Sequence, residues 1–315
     1  MAASRRFIKK NTAVKATKGG ANMKHCVTTK ILMRRQDGSE VPFEETLLFL
    51  KAAGFEEIDM GLEPPLLLAS DWEEQLEDRL RLCEREQIHI RYAHMPYHYP
   101  KMGDAEGWAA FELATRRAMD YVVRAGVDCA AIHPRSFMTR DYDPEKEYRE
   151  AKAFLEPYQD YAVQKGLVLA LENMRGPGQS ADPAIRRFGM AMEETISLAD
   201  ELGMGICWDT GHGNISGHEQ YAAITQIGKR LRMVHLNDNF AEDDVHLALF
   251  LGNIDWKQVA KGLVAVGYKG SLNTEVQCNK RPDALRPLYA RYMAEAVQEL
   301  DEMIQAEQAA ALQAE

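Results

Sequence analysis

The sequence predicts an α/β protein, a single closed (β/α)8 barrel. Short apolar segments typical of strands alternate eight times with amphipathic segments typical of helices, and no linker-like segment interrupts the series. The chain has 315 residues, of which 46% are hydrophobic, and such barrels commonly run to about 250 residues. An open doubly wound sheet is the alternative, but no glycine-rich phosphate loop follows the first strand to support it.

The elements follow from local signals taken in chain order. The predicted strands are apolar runs bounded by turn residues, and they span residues 26–32, 57–62, 89–94, 129–133, 167–172, 204–208, 233–236 and 271–276. The predicted helices span residues 43–53, 71–87, 108–125, 146–165, 193–202, 221–230 and 256–266, and the last one begins at residue 285. Gly54 ends the first helix, Ser70 caps the second, and Gly211 and Gly213 break the chain after the sixth strand.

Composition argues against several classes of partner. The formal net charge of −10 opposes a non-specific grip on nucleic acid, and no apolar run reaches the roughly 18 residues that span a bilayer. The five cysteines are far apart and form no CxxC pair, which favours a reducing compartment and a cytoplasmic location. We therefore predict neither a nucleic-acid nor a membrane partner, and we leave a homo-oligomer open.

The chain is predicted to begin with a segment that lies outside the barrel. Residues 1–22 are interpreted as a basic, disordered extension, and residues 23–315 as the barrel with a C-terminal helical tail. The first 24 residues hold seven Lys or Arg and no acid. Residues 4–9 superficially resemble a twin-arginine export signal, but the segment after them is polar and lacks the apolar stretch of such a signal. Met23 is interpreted as a second possible start.

Four acid or imidazole side chains stand at the ends of four successive predicted strands. They are Glu172, Asp209, His235 and Glu275, at intervals of 37, 26 and 40 residues. Each interval is about one strand–loop–helix unit, for which roughly 30 residues is typical. The strand ends of a parallel barrel meet at one mouth. Because buried carboxylates without compensation are costly, we expect these four residues to bind one divalent metal ion.

This donor set points to chemistry on a carbonyl compound. Two glutamates, one aspartate and one histidine are rich in oxygen and suit Mn²⁺, Mg²⁺, Co²⁺ or Zn²⁺. A metal ion acting as a Lewis acid acidifies the C–H bond beside a chelated carbonyl. Glu172 and Glu275 could then remove and return a proton as an acid/base pair. Because coordination lowers a carboxylate's basicity, they could do so only through a loosely held or free oxygen.

Further histidines stand at the same predicted mouth. His94 and His133 end the third and fourth strands, while His212 and His246 follow the sixth and seventh. We predict that these four side chains contact the substrate. For His246 and its neighbour Asp244, a second-metal role and a loop-anchoring role remain open alternatives.

Two other groups of residues have different predicted roles. The loop of residues 174–189 carries three arginines, which suggests a mobile lid or a grip on an anionic group. His25, His89 and His218 are interpreted as structural or surface residues.

Six short motifs carry a family resemblance. They are Leu171-Glu-Asn173, Trp208-Asp-Thr-Gly-His212, His235-Leu-Asn-Asp238, Asp244-Val-His246, Gly252-Asn-Ile-Asp-Trp256 and Thr274-Glu275. As a set, over about residues 23–304, they resemble the xylose-isomerase-like TIM-barrel superfamily, and within it the sugar phosphate isomerase/epimerase group. The resemblance to its ketose 3-epimerase and hydroxypyruvate isomerase branches implies that Glu172, Asp209, His235 and Glu275 are metal ligands. It also implies that Glu172 and Glu275 are the acid/base pair and that His212 contacts the substrate.

The resemblance extends to other branches of the superfamily. Ketose 3-epimerases usually follow the strand-seven histidine with Gly-Glu and then a substrate-binding arginine, whereas this chain has Leu236-Asn-Asp238. Endonuclease IV, an abasic-site nuclease with a related barrel, has a multi-zinc site with plausible counterparts of nine residues. These are His94, His133, Glu172, Asp209, His212, His235, Asp244, His246 and Glu275. Inosose dehydratase and similar sugar lyases share the four-ligand core.

The sequence therefore predicts a metal-dependent isomerase or epimerase of carbohydrate metabolism. Its substrate would be a sugar, sugar phosphate or keto-sugar derivative that reacts through a metal-stabilised enediolate. The alternative is a metal-dependent lyase or dehydratase that expels a β-hydroxyl from a keto sugar or cyclitol. An abasic-site nuclease ranks third, because the chain shows no basic, aromatic-rich loops suited to gripping DNA.

Overall fold

A computed structural model describes residues 22–279 and 281–314. The predicted basic extension therefore lies, apart from residue 22, outside the described residues. Among the described residues, no helix is both long enough and apolar enough to cross a membrane.

Eight parallel strands form the barrel. They are β1 (His25–Thr28), β2 (Glu57–Gly61), β3 (His89–His94), β4 (Cys129–Ile132), β5 (Val168–Glu172), β6 (Gly205–Asp209), β7 (Leu231–His235) and β8 (Leu272–Thr274). Each strand from β1 to β6 pairs with the next in sequence, and β1 also pairs with β8. Beyond the end of β7, the N–H of Leu236 donates to the carbonyl of Asn273 at 2.8 Å, and the N–H of Glu275 donates to the carbonyl of Leu236 at 3.0 Å. These bonds bring the last edges together, and the predicted closed barrel is confirmed.

Helices alternate with the strands along the chain. They are α1 (Phe43–Ala53), α2 (Pro64–Leu67), α3 (Trp72–Glu86), α4 (Ala105–Arg124), α5 (Pro144–Lys165), α6 (Met192–Leu202), α7 (Thr210–Ile215), α8 (Gln220–Ile227), α9 (Trp256–Ala265) and α10 (Arg286–Ala314). The two shortest, α2 and α7, were not predicted. Both lie directly after strands, where hydrophobic periodicity is too brief to distinguish a helix from a turn.

Three local predictions were wrong. The first strand stops at Thr28, whose hydroxyl accepts from the N–H of Lys30 at 3.2 Å and begins a 3₁₀ turn over Thr29–Leu32. Ser70 does not cap α3; Asp71 occupies the cap position and makes no side-chain cap hydrogen bond. Gly211 and Gly213 do not break the chain, because both lie within α7.

The barrel interior has an apolar floor and a polar mouth. Alternate residues of a strand face the same side, so Ala170, Cys207 and Met233 point inward below the residues that end their strands. The buried floor consists of Cys26, Tyr92, Cys129, Ala131, Ala170, Cys207 and Met233. Larger apolar side chains fill the separate layer between the strands and the helices. All five cysteines are buried and free.

Candidate active site

The four predicted ligands meet at the mouth of the barrel. Glu172, Asp209 and His235 end strands β5, β6 and β7, and Glu275 follows β8. Each offers one oxygen or nitrogen atom, and these atoms lie within 4.8 Å of one another. Glu172, Asp209 and His235 are completely buried, and Glu275 is 9% exposed. The barrel thus gathers four potential donor atoms into one space shielded from solvent.

His235 lies between the two glutamates. Its Nδ1 is 3.1 Å from Oε2 of Glu172 and 3.2 Å from Oε2 of Glu275. Two ligands that each lie about 2.1 Å from one tetrahedral metal ion are separated by roughly 3.4 Å. The three side chains are therefore spaced as ligands of a common ion would be.

Hydrogen bonds from its neighbours hold Asp209 in place. The backbone N–H of His212 donates to its Oδ1 at 2.6 Å and begins α7, while the side-chain amide of Asn237 donates to its Oδ2 at 2.8 Å. The N–H of Asp209 itself donates to the side-chain oxygen of Asn173 at 2.7 Å. Asp209 is therefore both the cap of α7 and a candidate ligand.

Glycine is required in α7 by close packing. A Cβ at Gly211 would come within 2.0 Å of Oδ1 of Asn237, and one at Gly213 within 2.3 Å of the Trp208 ring. Neither glycine has a positive φ. The glycines that the sequence suggested as chain breakers instead allow α7 to lie against the site.

Two more donor groups flank the first. On one side, Nε2 of His94 and Nε2 of His133 lie 3.4 and 3.2 Å from Oε2 of Glu172. On the other, Nε2 of His212 and Nε2 of His246 lie 3.4 and 3.3 Å from the two carboxylate oxygens of Asp244. The group of His94 and His133 shares Glu172 with the four central residues. The group around Asp244 is connected to them through His212, whose Nδ1 is 3.4 Å from Oε1 of Glu172.

The tautomers of three histidines are set by backbone carbonyls. Nδ1 of His94, His212 and His246 lies 2.8, 2.8 and 2.7 Å from the carbonyl oxygens of Met95, Asn173 and Glu275. A carbonyl can only accept, so each Nδ1 carries the hydrogen. In the neutral imidazole, Nε2 then presents a lone pair to a carboxylate. Such a contact between two acceptors requires a proton or a metal ion between them, as in metal-bound histidines whose other nitrogen is held by a carbonyl.

The carboxyl and imidazole groups of this pocket have shifted pKa values. Burial opposes ionisation of Glu172, but the charges of His235 and His133 outweigh it and lower its pKa well below the usual range. Burial raises the pKa of Asp209 to about 6, despite the opposing charge of His212. The same desolvation lowers the pKa of His133 to about 4. The neighbouring carboxylates raise the pKa of His212 to about 9 and that of His246 to about 10, against the effect of burial. The acid groups of this buried pocket are therefore balanced by positively charged imidazoles.

Several polar atoms in this pocket lack a hydrogen-bond partner among the described residues. They are Oε1 of Glu172, both ring nitrogens of His235 and Oδ1 of Asp244. Buried polar atoms without partners are rare and costly. A divalent cation bound by the adjacent carboxylates and imidazoles would satisfy them, so the residues fit the metal that the sequence predicts.

Sequence reasoning missed some residues of the site. Asp59 interrupts the apolar run in the middle of β2, is fully buried, and has Oδ2 at 3.5 Å from Nε2 of His235. An acid that interrupts an apolar strand is the same signal that identified Glu172, and it could have identified Asp59. Cys207, below the mouth, forms a further donor group with Glu172 and His235. Its sequence carries no such signal, because cysteine is also an ordinary core residue.

Other residues near the mouth have structural roles. Asp238 accepts from the N–H of Ile254 at 3.2 Å and from the indole of Trp256 at 3.1 Å, and thereby anchors the loop before α9. Tyr97 packs against His94 and His133, with ring centroids 4.9 and 5.0 Å apart.

The three histidines interpreted as structural or surface residues lie outside every donor group found in the described part of the chain. His25 lies 3.7 Å from Asp301, His218 contacts the carbonyl of Met190 at 2.8 Å, and His89 is exposed.

The fold and the site define a (β/α)8 barrel with a metal-type donor group at its mouth. A family model described as "Xylose isomerase-like TIM barrel" matches residues 47–303. The chain belongs to this family, as the motifs predicted.

Individual proteins resemble this chain either over part of its length or at low sequence identity. An uncharacterized protein of Sinorhizobium fredii, y4fM, is 32% identical over 101 residues, which are 32% of this chain and 32% of that protein. The chain thus matches about a third of the length of this relative. Among solved structures, a xylose isomerase domain protein from Alicyclobacillus acidocaldarius has a TM-score of 0.70 at 16% identity, with 90% of this chain and 99% of the other covered. An L-ribulose 3-epimerase has a TM-score of 0.67 at 14% identity, with 92% and 98% covered. At these identities the structures establish a common fold.

Proposed function

We propose that this protein is a divalent-metal-dependent isomerase or epimerase that acts on a sugar, sugar phosphate or keto-sugar derivative. The observation that carries the proposal is the position of Glu172 and Glu275. Glu172 ends β5 and Glu275 directly follows β8, with two strands of the chain between them, and both carboxylates lie within 3.2 Å of the same nitrogen of His235. A substrate carbon between them would be reached by one carboxylate on each side. Membership of the family supports this reading, as does the name of the L-ribulose 3-epimerase that shares the fold.

Glu172, Asp209, His235 and Glu275 would hold the ion. A bound divalent cation would polarise a substrate carbonyl and so acidify the neighbouring C–H bond. One glutamate would take the proton from that carbon, and the other would return a proton to the opposite face or to the adjacent carbon. Oε1 of Glu172 has no hydrogen-bond partner among the described residues, so it is a candidate for the free oxygen that proton transfer requires.

Further side chains would orient the substrate. His94 and His133 approach from the side of β3 and β4, and His212 and His246 from the side of β6 and β7. In the proposed reaction these four histidines contact substrate hydroxyl groups or share the bound cation. A cytoplasmic location remains a prediction from the sequence. The choice among Mn²⁺, Mg²⁺, Co²⁺ and Zn²⁺ and the formation of a homo-oligomer are left open by the sequence.

A second candidate function is supported by the two flanking donor groups. Three adjacent groups of acid and imidazole side chains would suit several metal ions, and sites with more than one ion are typical of phosphoester hydrolysis. The same nine residues carry the resemblance to endonuclease IV. This alternative requires more than one tightly bound ion per chain, which elemental analysis of the purified protein measures directly.

The test is a solvent-exchange experiment. The metal-loaded protein is incubated in D₂O with a panel of ketoses, ketose phosphates, keto acids and cyclitols, and the products are followed by NMR and mass spectrometry. We expect deuterium at the carbon beside a carbonyl, together with a new isomer. Loss of about 18 Da would indicate a lyase instead, and nicking of an abasic duplex would indicate the nuclease.

Substitution of the glutamates completes the test. Glu172→Gln and Glu275→Gln should each lower exchange and turnover by about 10²- to 10⁴-fold, the usual contribution of a positioned acid or base. Circular dichroism should show an unchanged fold. Activity within about tenfold of the parent in either variant would contradict the paired-carboxylate mechanism.

A further inference from the structure

Asp59 is a buried carboxylate that the proposed reaction does not use. It lies in the middle of β2 and is completely shielded from solvent. Among the described residues, His235 is the one basic side chain within 4.0 Å of Asp59, with its Nε2 at 3.5 Å from Oδ2, and no Lys or Arg lies as near. Because a buried carboxylate without compensation is costly, an acid at this position implies a role that an apolar side chain could not fill.

The side chain of Asp59 is held in place by β8. The side-chain amide of Asn273 donates to its Oδ2 at 2.9 Å, and Asn273 is fully buried. Strands β2 and β8 both pair with β1, so this hydrogen bond links the two neighbours of β1. Oδ1 of Asp59 has no partner among the described residues and is free to accept a further hydrogen bond.

A link between β2 and β8 does not by itself require an acid at the mouth. Glu57 begins β2, at the end of the strand away from the mouth. It accepts from the hydroxyl of Ser271 at 2.5 Å and so joins the same two strands. The two carboxylates of β2 thus make the same kind of link, but Asp59 also lies beside a candidate metal ligand.

The ring of His235 has acid groups near both of its nitrogens. Its Nδ1 lies 3.1 and 3.2 Å from Oε2 of Glu172 and Oε2 of Glu275, whereas its Nε2 faces Asp59. A neutral imidazole carries one hydrogen, and a nitrogen that binds a metal ion must present its lone pair. When Nδ1 binds the ion, Nε2 therefore carries the hydrogen and needs an acceptor.

Backbone carbonyls fix the tautomers of His94, His212 and His246. Among the described residues, neither nitrogen of His235 has such a hydrogen bond, and Asp59 is the acceptor that faces its Nε2. We propose that Asp59 is a positioning residue: its carboxylate accepts the Nε2 hydrogen of His235 and thereby directs the lone pair of Nδ1 toward the metal ion. Carboxylates in this role fix the ring orientation of metal-binding histidines and raise their basicity. This inference rests on the proposed function for the presence of the ion.

The first experiment measures which nitrogen of His235 carries the hydrogen. The protein is labelled with ¹⁵N-histidine and loaded with Zn²⁺, which is diamagnetic, and long-range ¹H–¹⁵N spectra are recorded. His235→Gln identifies the resonances of this ring by their absence. We expect the hydrogen on Nε2, and a hydrogen on Nδ1 would overturn the positioning role. This measurement uses the parent protein and does not depend on the folding of any Asp59 variant.

The second experiment measures metal affinity. Asp59→Asn keeps the size of the side chain and an oxygen that can accept from Asn273, but it removes the charge. It should weaken binding of Zn²⁺ and Mn²⁺, measured by competition with a chelator, by about 10- to 100-fold, the usual effect of removing an outer-shell partner. In the same variant the Nε2–H resonance of His235 should move upfield, because hydrogen bonds to charged acceptors are the stronger ones.

Glu57→Gln is the matched control. It makes the same chemical change in the same strand, and it weakens a link of the same kind between β2 and β8. Its metal affinity should stay within about twofold of the parent, because Glu57 shares no partner with His235. Chemical denaturation without metal measures the structural cost of each variant. Equal losses of metal affinity in Asp59→Asn and Glu57→Gln would overturn the positioning role.

The remaining outcomes separate this inference from the proposed function. Unchanged metal affinity in Asp59→Asn, with deuterium exchange retained, would overturn the positioning role and leave the isomerase in place. Metal binding that depends on Asp59, without deuterium exchange on any sugar, would support the positioning role and count against the isomerase. A parent protein that binds no divalent ion would overturn both.

Discussion

Asp209 shows how one residue can serve the fold and the site together. Its Oδ1 caps α7 through the N–H of His212, and its Oδ2 accepts from Asn237. The sequence revealed the acid at the end of a strand, but it did not reveal the cap, because the residues after it were interpreted as a glycine break. Both roles follow from the same backbone geometry, since the residue that ends a strand at the mouth also precedes the next helix.

Asp209→Ala should abolish metal binding without unfolding the protein. Outer-shell partners of a metal site account for about 10- to 100-fold in affinity, so loss of a ligand should weaken binding by more than about 100-fold. Elemental analysis after dialysis measures the metal, and circular dichroism the fold. Asp143→Ala is the control, because Asp143 caps α5 through the N–H groups of Glu145 and Lys146, both at 3.1 Å, and should keep its metal. A stoichiometric ion retained by Asp209→Ala would remove Asp209 from the ligands.

At the scale of elements, α7 couples the candidate ligands of β6 and β7. Gly211 lies against Asn237, which follows β7, and Asn237 in turn donates to Asp209 at the end of β6. A side chain on this face of α7 would separate the two strand ends. The local sequence could not predict this contact, because it depends on a residue 26 positions further along the chain.

Gly211→Ala should therefore damage both stability and metal affinity. The new Cβ would come within 2.0 Å of Oδ1 of Asn237, and overpacking of this kind typically costs about 1–3 kcal/mol of unfolding free energy. Gly176→Ala is the comparison, because its nearest neighbour is the flexible Met190 side chain at 3.2 Å; its effect should be below about 1 kcal/mol. Chemical denaturation measures the unfolding free energy of each variant. Equal stabilities of Gly211→Ala and Gly176→Ala would contradict the packing role of α7.

A second coupling between elements lies beside β1 and β2. Lys30, in the 3₁₀ turn after β1, lies 3.3 Å from Glu63, which also lies 2.9 Å from Nδ1 of His98. Burial opposes ionisation of Glu63, but the hydrogen bond from His98 and the charge of Lys30 outweigh it and lower its pKa to about 2. The ionised Glu63 therefore ties three loops of the mouth together.

The stabilising effect of Glu63 should depend on pH in a defined direction. Its pKa in the folded protein is below that of an unfolded chain, about 4.3. The contribution is therefore complete above pH 4.3 and is lost as the pH falls toward 2. Glu63→Gln should lower the unfolding free energy at pH 6 by on the order of 2 kcal/mol, and the difference from the parent should shrink below pH 4. Denaturation at several pH values between 2.5 and 6 measures this difference. A difference in unfolding free energy between the parent and Glu63→Gln that stays constant over this range would contradict the assignment.

At the scale of the whole molecule, the barrel brings buried ionisable side chains together at its mouth, and its apolar core offers them no opposite charge. Buried carboxylates from β2, β5 and β6 and from the segment after β8 surround a few imidazoles above an apolar floor. The surrounding layers of strands and helices supply the stability that such a costly site requires. A bound cation should therefore stabilise the entire fold.

Metal removal should lower the melting temperature. A ligand at about 100 times its Kd contributes roughly 2.7 kcal/mol to the folded state, and 1 kcal/mol corresponds to roughly 2–4 °C for domains of about 150–250 residues. Scanning fluorimetry after chelation and re-addition of Mn²⁺, Mg²⁺, Co²⁺ or Zn²⁺ should show a shift of at least about 5 °C with the native ion. Asp209→Ala should show none. Identical melting of the parent with and without all four ions would argue against a metal site.

The sequence by itself determined the fold class, the family and the strand ends at which acid and imidazole side chains stand. It could do so because alternation of apolar segments, and polar residues that interrupt them, are local signals. Only the tertiary structure decided which of these side chains share a neighbour, that α7 is a helix, and that Asp59 lies close to His235. These facts depend on distances between strands and loops far apart in the chain, and such distances are set when the barrel closes.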